Sequence, residues 1–302
     1  MGNRKQKIIV IIGPTASGKS SLGIKLARKF NGEIVSADSR QVYRGMNIGT
    51  AKPTQEERIL IPHHLVDIKN PDENYTVAEY KHDATKAIRK IIKKGKLPIL
   101  VGGTGLYVKV IVDNLKIPEV GPDFKLRHKL EKEIKKYGLN FVFKKLIKLD
   151  PEAAYIVDPN NPRRIIRALE IAITTKKPFS AQRKSGKPPF DFIGIGIRQT
   201  KNVLDERISN RVDLMIKNGL IEEVKNLVKE YDANNQSFDA IGYREIIDYF
   251  DKKITLTEAM DSIKKNTINY AKRQMTWFKK DKKIHWIKNQ NEAEKLVKKF
   301  LK

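Results

Sequence analysis

The sequence predicts an α/β protein whose parallel sheet is interrupted by an inserted helical domain. In the first part of the chain, short apolar runs alternate with helical periods, and strands separated by helices of this length pair in parallel through crossovers. The alternation stops after about Pro118, where three helical periods follow one another, and a strand-like run returns at Phe192. We therefore expect a core formed by residues 1–118 and 191–302, and a helical insertion of residues 119–190.

The first predicted strand, Ile8–Ile12, leads into a glycine-rich loop and then a helix. The loop begins at Gly13 and ends in Gly18, Lys19 and Ser20, which is the spacing G-x-x-x-x-G-K-[ST]. Its glycines allow backbone N–H groups to surround phosphate oxygens, while the lysine adds a charge and the hydroxyl is a ligand for Mg²⁺. The sequence thus predicts a P-loop NTPase-like core with a phosphate site. The residues expected at this site are Gly13, Thr15, Ala16, Ser17, Gly18, Lys19 and Ser20.

The second predicted strand, Glu33–Asp38, ends in a polar loop. Parallel sheets bind ligands at the carboxyl ends of their strands, so Asp38 is expected beside the P-loop. A carboxylate there either holds Mg²⁺ or accepts a proton from a nucleophile. The side chains of Ser39, Arg40 and Gln41 suit a ligand rich in heteroatoms. The alternative is a helix cap followed by a solvated loop.

The third predicted strand, Leu97–Gly103, also ends in glycines and precedes a helix. The helix before it is expected to begin after Thr76, which has capping-box spacing to Glu79, and to extend to Lys94. An ordinary P-loop ATPase carries an aspartate at the end of such an apolar strand, and a GTPase carries an NKxD base-reading motif. This sequence has neither feature. Thr104 is interpreted either as a helix cap or as a hydroxyl that faces the same anion as the P-loop.

The remaining elements are predicted from periodicity. In the insertion we expect helices over residues 125–138, 140–150 and 162–175. In the core we expect a strand over 192–198, helices over 207–219, 220–231 and 255–280, a short strand over 283–288 and a terminal basic helix.

Charge is the most informative feature of the composition. The chain has 61 Lys and Arg residues against 35 Asp and Glu, a net charge of +26. Lysine-rich surfaces explain part of this excess, but its size favours a polyanionic partner, above all nucleic acid. The chain lacks cysteine, which excludes thiolate zinc sites and cysteine nucleophiles. The five apolar residues before Gly13 are too few for a signal peptide or a membrane span. We expect a soluble, cytoplasmic monomer that does not contact membranes.

Six segments in this order resemble the tRNA dimethylallyltransferase family: GPTASGKSS, SADSRQVYRGMNIGTAKP, VGGTGLYVK, NPRRIIRALE, AIGYRE and YAKRQMTWFK. The resemblance extends from Ile8 to about Trp286. It implies transfer of a dimethylallyl group from dimethylallyl diphosphate to N6 of the tRNA adenosine 3′ of the anticodon, with Mg²⁺ as cofactor. The P-loop would then hold the isoprenoid diphosphate rather than ATP.

The resemblance also implies roles for individual residues. Asp38 matches the general base. Lys19, Thr104 and Ser20 with Mg²⁺ match groups around the diphosphate. Arg211 matches an arginine near the leaving group, although by itself it would be interpreted as a helix-surface residue. The positions matching tRNA contacts are Asp38, Ser39, Arg40, Gln41, Thr104, Arg127, Arg163, Arg164 and Arg167, and the family motif has Gln in place of Arg163.

For the insertion arginines the alternative is a solvated helix face. In the helix predicted over residues 255–280, Tyr270, Arg273 and Trp277 share one stripe. Such a stripe suits either base stacking or an arginine packed between aromatic rings. Lys272 and Arg273 are candidates for RNA phosphate contacts. Three other functions remain open: prenyl transfer to a free adenine nucleotide, an ATP-dependent small-molecule kinase, and an RNA-binding P-loop protein without prenyl chemistry.

Overall fold

Among the residues that this computed structural model describes, 5–118, 120–182 and 185–302, six parallel strands form one sheet. The strands are β1 (Lys7–Ile12), β2 (Gly32–Ser36), β3 (His63–His64), β4 (Leu97–Gly102), β5 (Asp191–Ile197) and β6 (Ile284–Ile287). Their order is β3-β2-β4-β1-β5-β6, which places β1 inside the sheet. The predicted α/β fold with a parallel sheet is therefore confirmed.

Helices cover most of the remaining chain. They are α1 (Lys19–Lys29), α2 (Gln55–Leu60), α3 (Val77–Lys93), α4 (Gly105–Val112), α5 (Phe124–Tyr137), α6 (Leu139–Leu149), α7 (Ala153–Ile156), α8 (Pro162–Thr175), α9 (Lys201–Lys217), α10 (Leu220–Glu230), α11 (Tyr243–Phe250), α12 (Leu256–Phe278) and α13 (Gln290–Leu301). The predicted capping box at Thr76 is present at the start of α3, where the Thr76 hydroxyl accepts the Glu79 N–H. No helix in these described ranges is both long and apolar enough to cross a lipid bilayer.

Four short elements were not predicted: α2, β3, α7 and α11. Strand β3 has two residues and α7 has four, which is too short for a hydrophobic period to be visible. Helix α2 begins with a capping box between Thr54 and Glu57, and this spacing is the sequence pattern from which the helix could have been predicted. Strand β2 ends at Ser36, so Asp38 lies in the loop that follows rather than on the strand.

The chain folds into two compact units. One contains the chain up to Val112 together with Pro188 onward, and the other is Asp113–Lys187. The predicted insertion began at Glu119, which lies outside the described residues. The second unit has its own apolar core from α5, α6, α7 and α8, with Leu130, Leu146 and Leu169 almost fully buried.

The sheet is stabilised by burial and by a cluster of charged side chains. The side chains of β1 from Ile8 to Ile12 are at most 2% exposed, and α1 packs Leu26 against the same core. Glu33, which is fully buried in β2, accepts hydrogen bonds from His64 and Lys94 and pairs with Lys96. A fixed sheet provides fixed strand ends, and these position the loops described next.

Candidate active site

The glycine-rich loop joins β1 to α1 in the predicted strand–loop–helix geometry. Gly18 precedes the helix at φ +95°, a conformation that L-residues with side chains rarely adopt, so glycine is needed here. Ser17 is 2% exposed, and its hydroxyl has no hydrogen-bond partner within the described part of the chain. A buried hydroxyl without a partner costs free energy of folding. The Ser17 hydroxyl and the N-terminus of α1 together favour an anion bound in this loop.

Two cations approach the loop from different elements. Lys19 donates to the Pro14 carbonyl at 3.3 Å. Burial lowers the pKa of Lys19 to about 8, with Asp38 opposing the change and Arg211 adding to it. Arg211 of α9 donates to the Thr15 hydroxyl at 3.2 Å. The helix-surface interpretation of Arg211 is therefore wrong, because its guanidinium lies on the P-loop.

The loop after β2 places a carboxylate near these cations. Asp38 Oδ1 accepts the backbone N–H of Arg40 at 2.8 Å and that of Gln41 at 3.4 Å. These bonds orient the carboxylate. Arg40 itself is held from the other side, because its guanidinium donates to the backbone carbonyls of Gln236 and Ser237.

Gln41 is also fixed in place, by Ser36 and by the carbonyls of Thr50 and Ala51. A pocket opens at this edge of the sheet, and its polar lining is Lys19, Ser20, Ser36, Asp38, Gln41 and His63.

His63 was missed by the sequence interpretation. Its Nδ1 lies 2.7 Å from the Ile61 carbonyl oxygen, and a carbonyl only accepts, so Nδ1 carries the hydrogen. Burial lowers the pKa of His63, which keeps the ring neutral and leaves Nε2 as an acceptor. The sequence pattern that could have indicated a site here is the pair His63 and His64 after a proline. The pattern does not identify His63 by itself, because His64 binds the buried Glu33 and does not line the pocket.

The second glycine loop follows β4 and lies beside the loop after β2. The Thr104 N–H donates to the Ala37 carbonyl at 3.1 Å, and the Thr104 hydroxyl accepts the Ser39 N–H at 3.1 Å. A Cβ on Gly102 would lie 2.1 Å from the Ala37 oxygen, so glycine is required for this approach. The structure thus brings Thr104 next to the Asp38 loop.

The C-terminal stripe of α12 lies against the same loop. Arg273 has its guanidinium carbon 5.7 Å from the Tyr270 ring centre. Burial raises the pKa of Tyr270 to about 12, and Asp38 adds to the rise. Trp277 is 38% exposed, and its indole fills the space where Gly105 would carry a Cβ. Tyr270 is therefore packed, whereas Arg273 is exposed and stacks on one ring, so the stripe is compatible with both interpretations.

Within the second unit, the predicted arginines divide into two groups. Arg127 makes a two-pronged ion pair with the fully buried Glu170, at 2.8 and 2.9 Å. Arg167 binds the same carboxylate and the Val120 carbonyl. The interpretation of Arg127 and Arg167 as residues of a solvated helix face is therefore wrong. Arg163 and Arg164 are exposed on the first turn of α8, where Asn161 caps the helix.

Comparisons with known proteins give a consistent result. The sequence model described as "IPP transferase" matches residues 41–281. The chain is 45% identical to the tRNA dimethylallyltransferase of Halalkalibacterium halodurans, covering 94% of this chain and 91% of that protein. It is 46% identical to the protein of that name from Acetivibrio thermocellus, covering 96% and 95%.

Two solved structures are also similar. One is the full-length tRNA isopentenylpyrophosphate transferase of Bacillus halodurans, with TM-score 0.73, 42% identity and coverage of 98% of this chain and 96% of that chain. The other is a eukaryotic dimethylallyltransferase acting on tRNA, with TM-score 0.76, 32% identity and coverage of 90% and 69%.

Proposed function

As a member of the IPP transferase family, this chain is an enzyme that transfers a dimethylallyl group to tRNA, and we propose how it does so. The donor is dimethylallyl diphosphate, and the acceptor is N6 of the adenosine 3′ of the anticodon. The observation that carries this proposal is the polar pocket in which Asp38 lies with Lys19 and Ser20 of the P-loop. A base beside a phosphate site suits displacement of a diphosphate by a weak nitrogen nucleophile.

The leaving group is held by the P-loop. Lys19 and Arg211 are fixed cations at the position where negative charge increases as diphosphate departs, and such preorganised charges lower a barrier strongly. Further donors are the Ser17 hydroxyl, which has no hydrogen-bond partner among the described residues, and the backbone N–H groups at the N-terminus of α1.

The donor set also fits a magnesium ion. The Ser20 hydroxyl, which would be the protein ligand of the ion, lines the pocket, and the described residues contain no group of three or more His, Cys, Asp or Glu side chains that would cage a metal. Mg²⁺ is commonly held by one or two protein oxygens together with substrate phosphates. When bound, it neutralises charge on the departing diphosphate.

Asp38 acts on the acceptor. The exocyclic amine is a poor nucleophile because its lone pair is delocalised into the purine ring. The N6–carbon bond forms as the carbon–oxygen bond to diphosphate breaks, and the N6 proton passes to the Asp38 carboxylate. The two backbone donors on Oδ1 fix the orientation of that carboxylate. The adenine must leave its stack to reach the pocket, and the residues Asp38 to Gln41 would receive it.

A net charge of +26 supports a polyanionic acceptor over a free nucleotide. We propose that the helical unit, with Arg163 and Arg164 exposed at the start of α8, contacts the anticodon stem-loop. Thr104, Lys272 and Arg273 complete the proposed RNA contacts on the core. The protein is proposed to be cytoplasmic and to act as a monomer.

The test is the variant Asp38→Asn. It should lower turnover by about 100-fold or more, with tRNA affinity nearly unchanged, because the amide keeps the shape but does not accept the N6 proton. Affinity is measured by filter binding with unmodified tRNA, and turnover by single-turnover transfer. Full activity of the variant would exclude Asp38 as the base.

A further inference from the structure

Gln274 of α12 joins the two glycine loops. Its Oε1 accepts the Thr15 N–H of the P-loop at 2.8 Å. Its Nε2 donates to the Gly103 carbonyl of the second loop at 2.9 Å. The residue is 5% exposed. One amide group therefore connects the loop after β1 to the loop after β4, and both of its polar atoms are used.

The glycines of the second loop are shaped for this contact. A Cβ on Gly103 would lie 2.1 Å from Gln274 Nε2, and a Cβ on Gly105 would lie 2.4 Å from the Trp277 ring. Real atoms do not approach so closely. Part of the glycine requirement in this loop thus comes from the close approach of α12 and not from a phosphate group.

The chemistry of the link restricts the residue that makes it. An amide donates and accepts at once, whereas carboxylate oxygens would leave the Gly103 carbonyl unpaired and a thioether would leave both partners unpaired. Unpaired buried backbone groups are costly. A shorter amide would not span the two loops. The position therefore needs both the length and the dual character of glutamine.

The link acts on groups that face the leaving group. Gln274 fixes the N–H of Thr15, and the hydroxyl of the same Thr15 accepts a hydrogen bond from the Arg211 guanidinium. On the other side, Gly103 precedes Thr104, which holds the Ser39 N–H. Lys19 lies close as well, with its Cε 3.6 Å from the Cβ position of Gly103. Moving one loop relative to the other would separate the donors of the diphosphate site from the Asp38 loop.

We propose that Gln274 is a positioning residue that fixes the distance between the P-loop and the second glycine loop for binding of the diphosphate group. This proposal rests on the function proposed above. Gln274 acts indirectly, because it binds backbone groups of the two loops and does not contact the reacting atoms.

The experiment compares Gln274→Met with Asn266→Ala. Methionine keeps the length and apolar packing of glutamine but removes both hydrogen bonds. Asn266 lies eight residues before Gln274 in the same helix and donates to Glu245 of α11 at 2.7 Å rather than to a glycine loop, so its variant measures the effect of weakening the packing of α12. Calorimetry with inorganic diphosphate and Mg²⁺ measures the site without turnover, and kinetics give KM separately for dimethylallyl diphosphate and tRNA.

For Gln274→Met we expect inorganic diphosphate affinity to fall about 10-fold, the equivalent of one or two lost hydrogen bonds. KM for dimethylallyl diphosphate should rise similarly, while KM for tRNA stays unchanged. Asn266→Ala should lower the melting temperature without changing either KM. Equal diphosphate affinity in wild type and Gln274→Met would overturn the positioning role.

The readouts distinguish this failure from failure of the proposed function. If wild-type protein transfers the prenyl group to tRNA and Gln274→Met does so with unchanged KM, only the positioning role is wrong. If the wild type transfers nothing from dimethylallyl diphosphate, the proposed donor is wrong, and the calorimetric comparison still decides whether Gln274 shapes a diphosphate site.

Discussion

The Thr104 hydroxyl accepts the backbone N–H of Ser39 at 3.1 Å, and together with the Thr104 N–H, which donates to the Ala37 carbonyl at 3.1 Å, this bond joins the second glycine loop to the loop that carries Asp38. The hydroxyl is also within 3.4 Å of the Ser39 hydroxyl. A helix cap would direct the Thr104 oxygen to its own helix, whereas here it serves a neighbouring strand end. The orientation of the Asp38 loop therefore depends on a residue 66 positions later in the chain.

Thr104→Val should lower kcat/KM by about 10-fold or more, because the Ser39 N–H then lacks its partner and the Asp38 loop is less well fixed. Steady-state kinetics with tRNA and dimethylallyl diphosphate measure the loss. Thr104→Ser, which keeps the hydroxyl, is the matched control and should retain most activity. Equal losses in the two variants would attribute the effect to packing of the methyl group.

Lys19 should give the reaction an alkaline limit. Burial lowers its pKa to about 8 in the free enzyme, so the ammonium group is charged below that pH and neutral above it. KM for dimethylallyl diphosphate should rise as the pH passes from 7 to 9, while kcat changes little, because the bound anion keeps Lys19 protonated. A KM that does not change between pH 7 and 9 would contradict a Lys19 contact with diphosphate.

Glu33 should make the fold sensitive to acid. Burial alone would raise its pKa, but hydrogen bonds from His64, Lys96 and Lys94 lower the pKa to about 2. The unfolded carboxyl group has the ordinary model value of 4.5. The unfolded chain therefore binds more protons between these values, and the unfolding free energy decreases as the pH falls from about 4.5 towards 2. Urea unfolding at several pH values measures this slope, and Glu33→Gln should lack this contribution to it.

The arginines of the second unit should separate by function. Arg127→Met breaks the ion pair with buried Glu170 and should destabilise residues 113–187 by about 2 kcal/mol. Arg164→Met should leave the unit stable and weaken tRNA binding, with a salt dependence smaller by about one charge. Hydrogen exchange measures stability, and filter binding over a salt series measures affinity. Normal stability of Arg127→Met would contradict the structural role of its ion pair.

The sequence was most informative where backbone chemistry decides the structure. The glycine spacing of the P-loop predicted a strand, a loop and a helix, and the Thr76 capping box predicted the start of α3, because both depend on neighbours along the chain. Arg211 was placed near the leaving group only through the family resemblance. Its contact with Thr15 joins residues far apart in sequence, so no local pattern shows it.

Tertiary polar contacts were the main omission. Gln274 lies in a helix rich in polar residues, and nothing in its spacing indicates that both of its polar atoms are buried against two loops. Glu170 similarly interrupts the apolar face of α8, and the sequence does not show that Arg127 and Arg167 compensate its charge. Such contacts depend on how separate helices pack, which periodicity alone does not determine.

The most direct measurement follows labelled dimethylallyl from its diphosphate, with Mg²⁺, into unmodified tRNA and into free AMP in parallel reactions. We expect label in tRNA alone, at N6 of the adenosine 3′ of the anticodon, with release of one diphosphate per transfer. Label in AMP would contradict an acceptor site built for RNA. Label in neither acceptor, with hydrolysis of ATP instead, would contradict the assignment of the P-loop to an isoprenoid diphosphate.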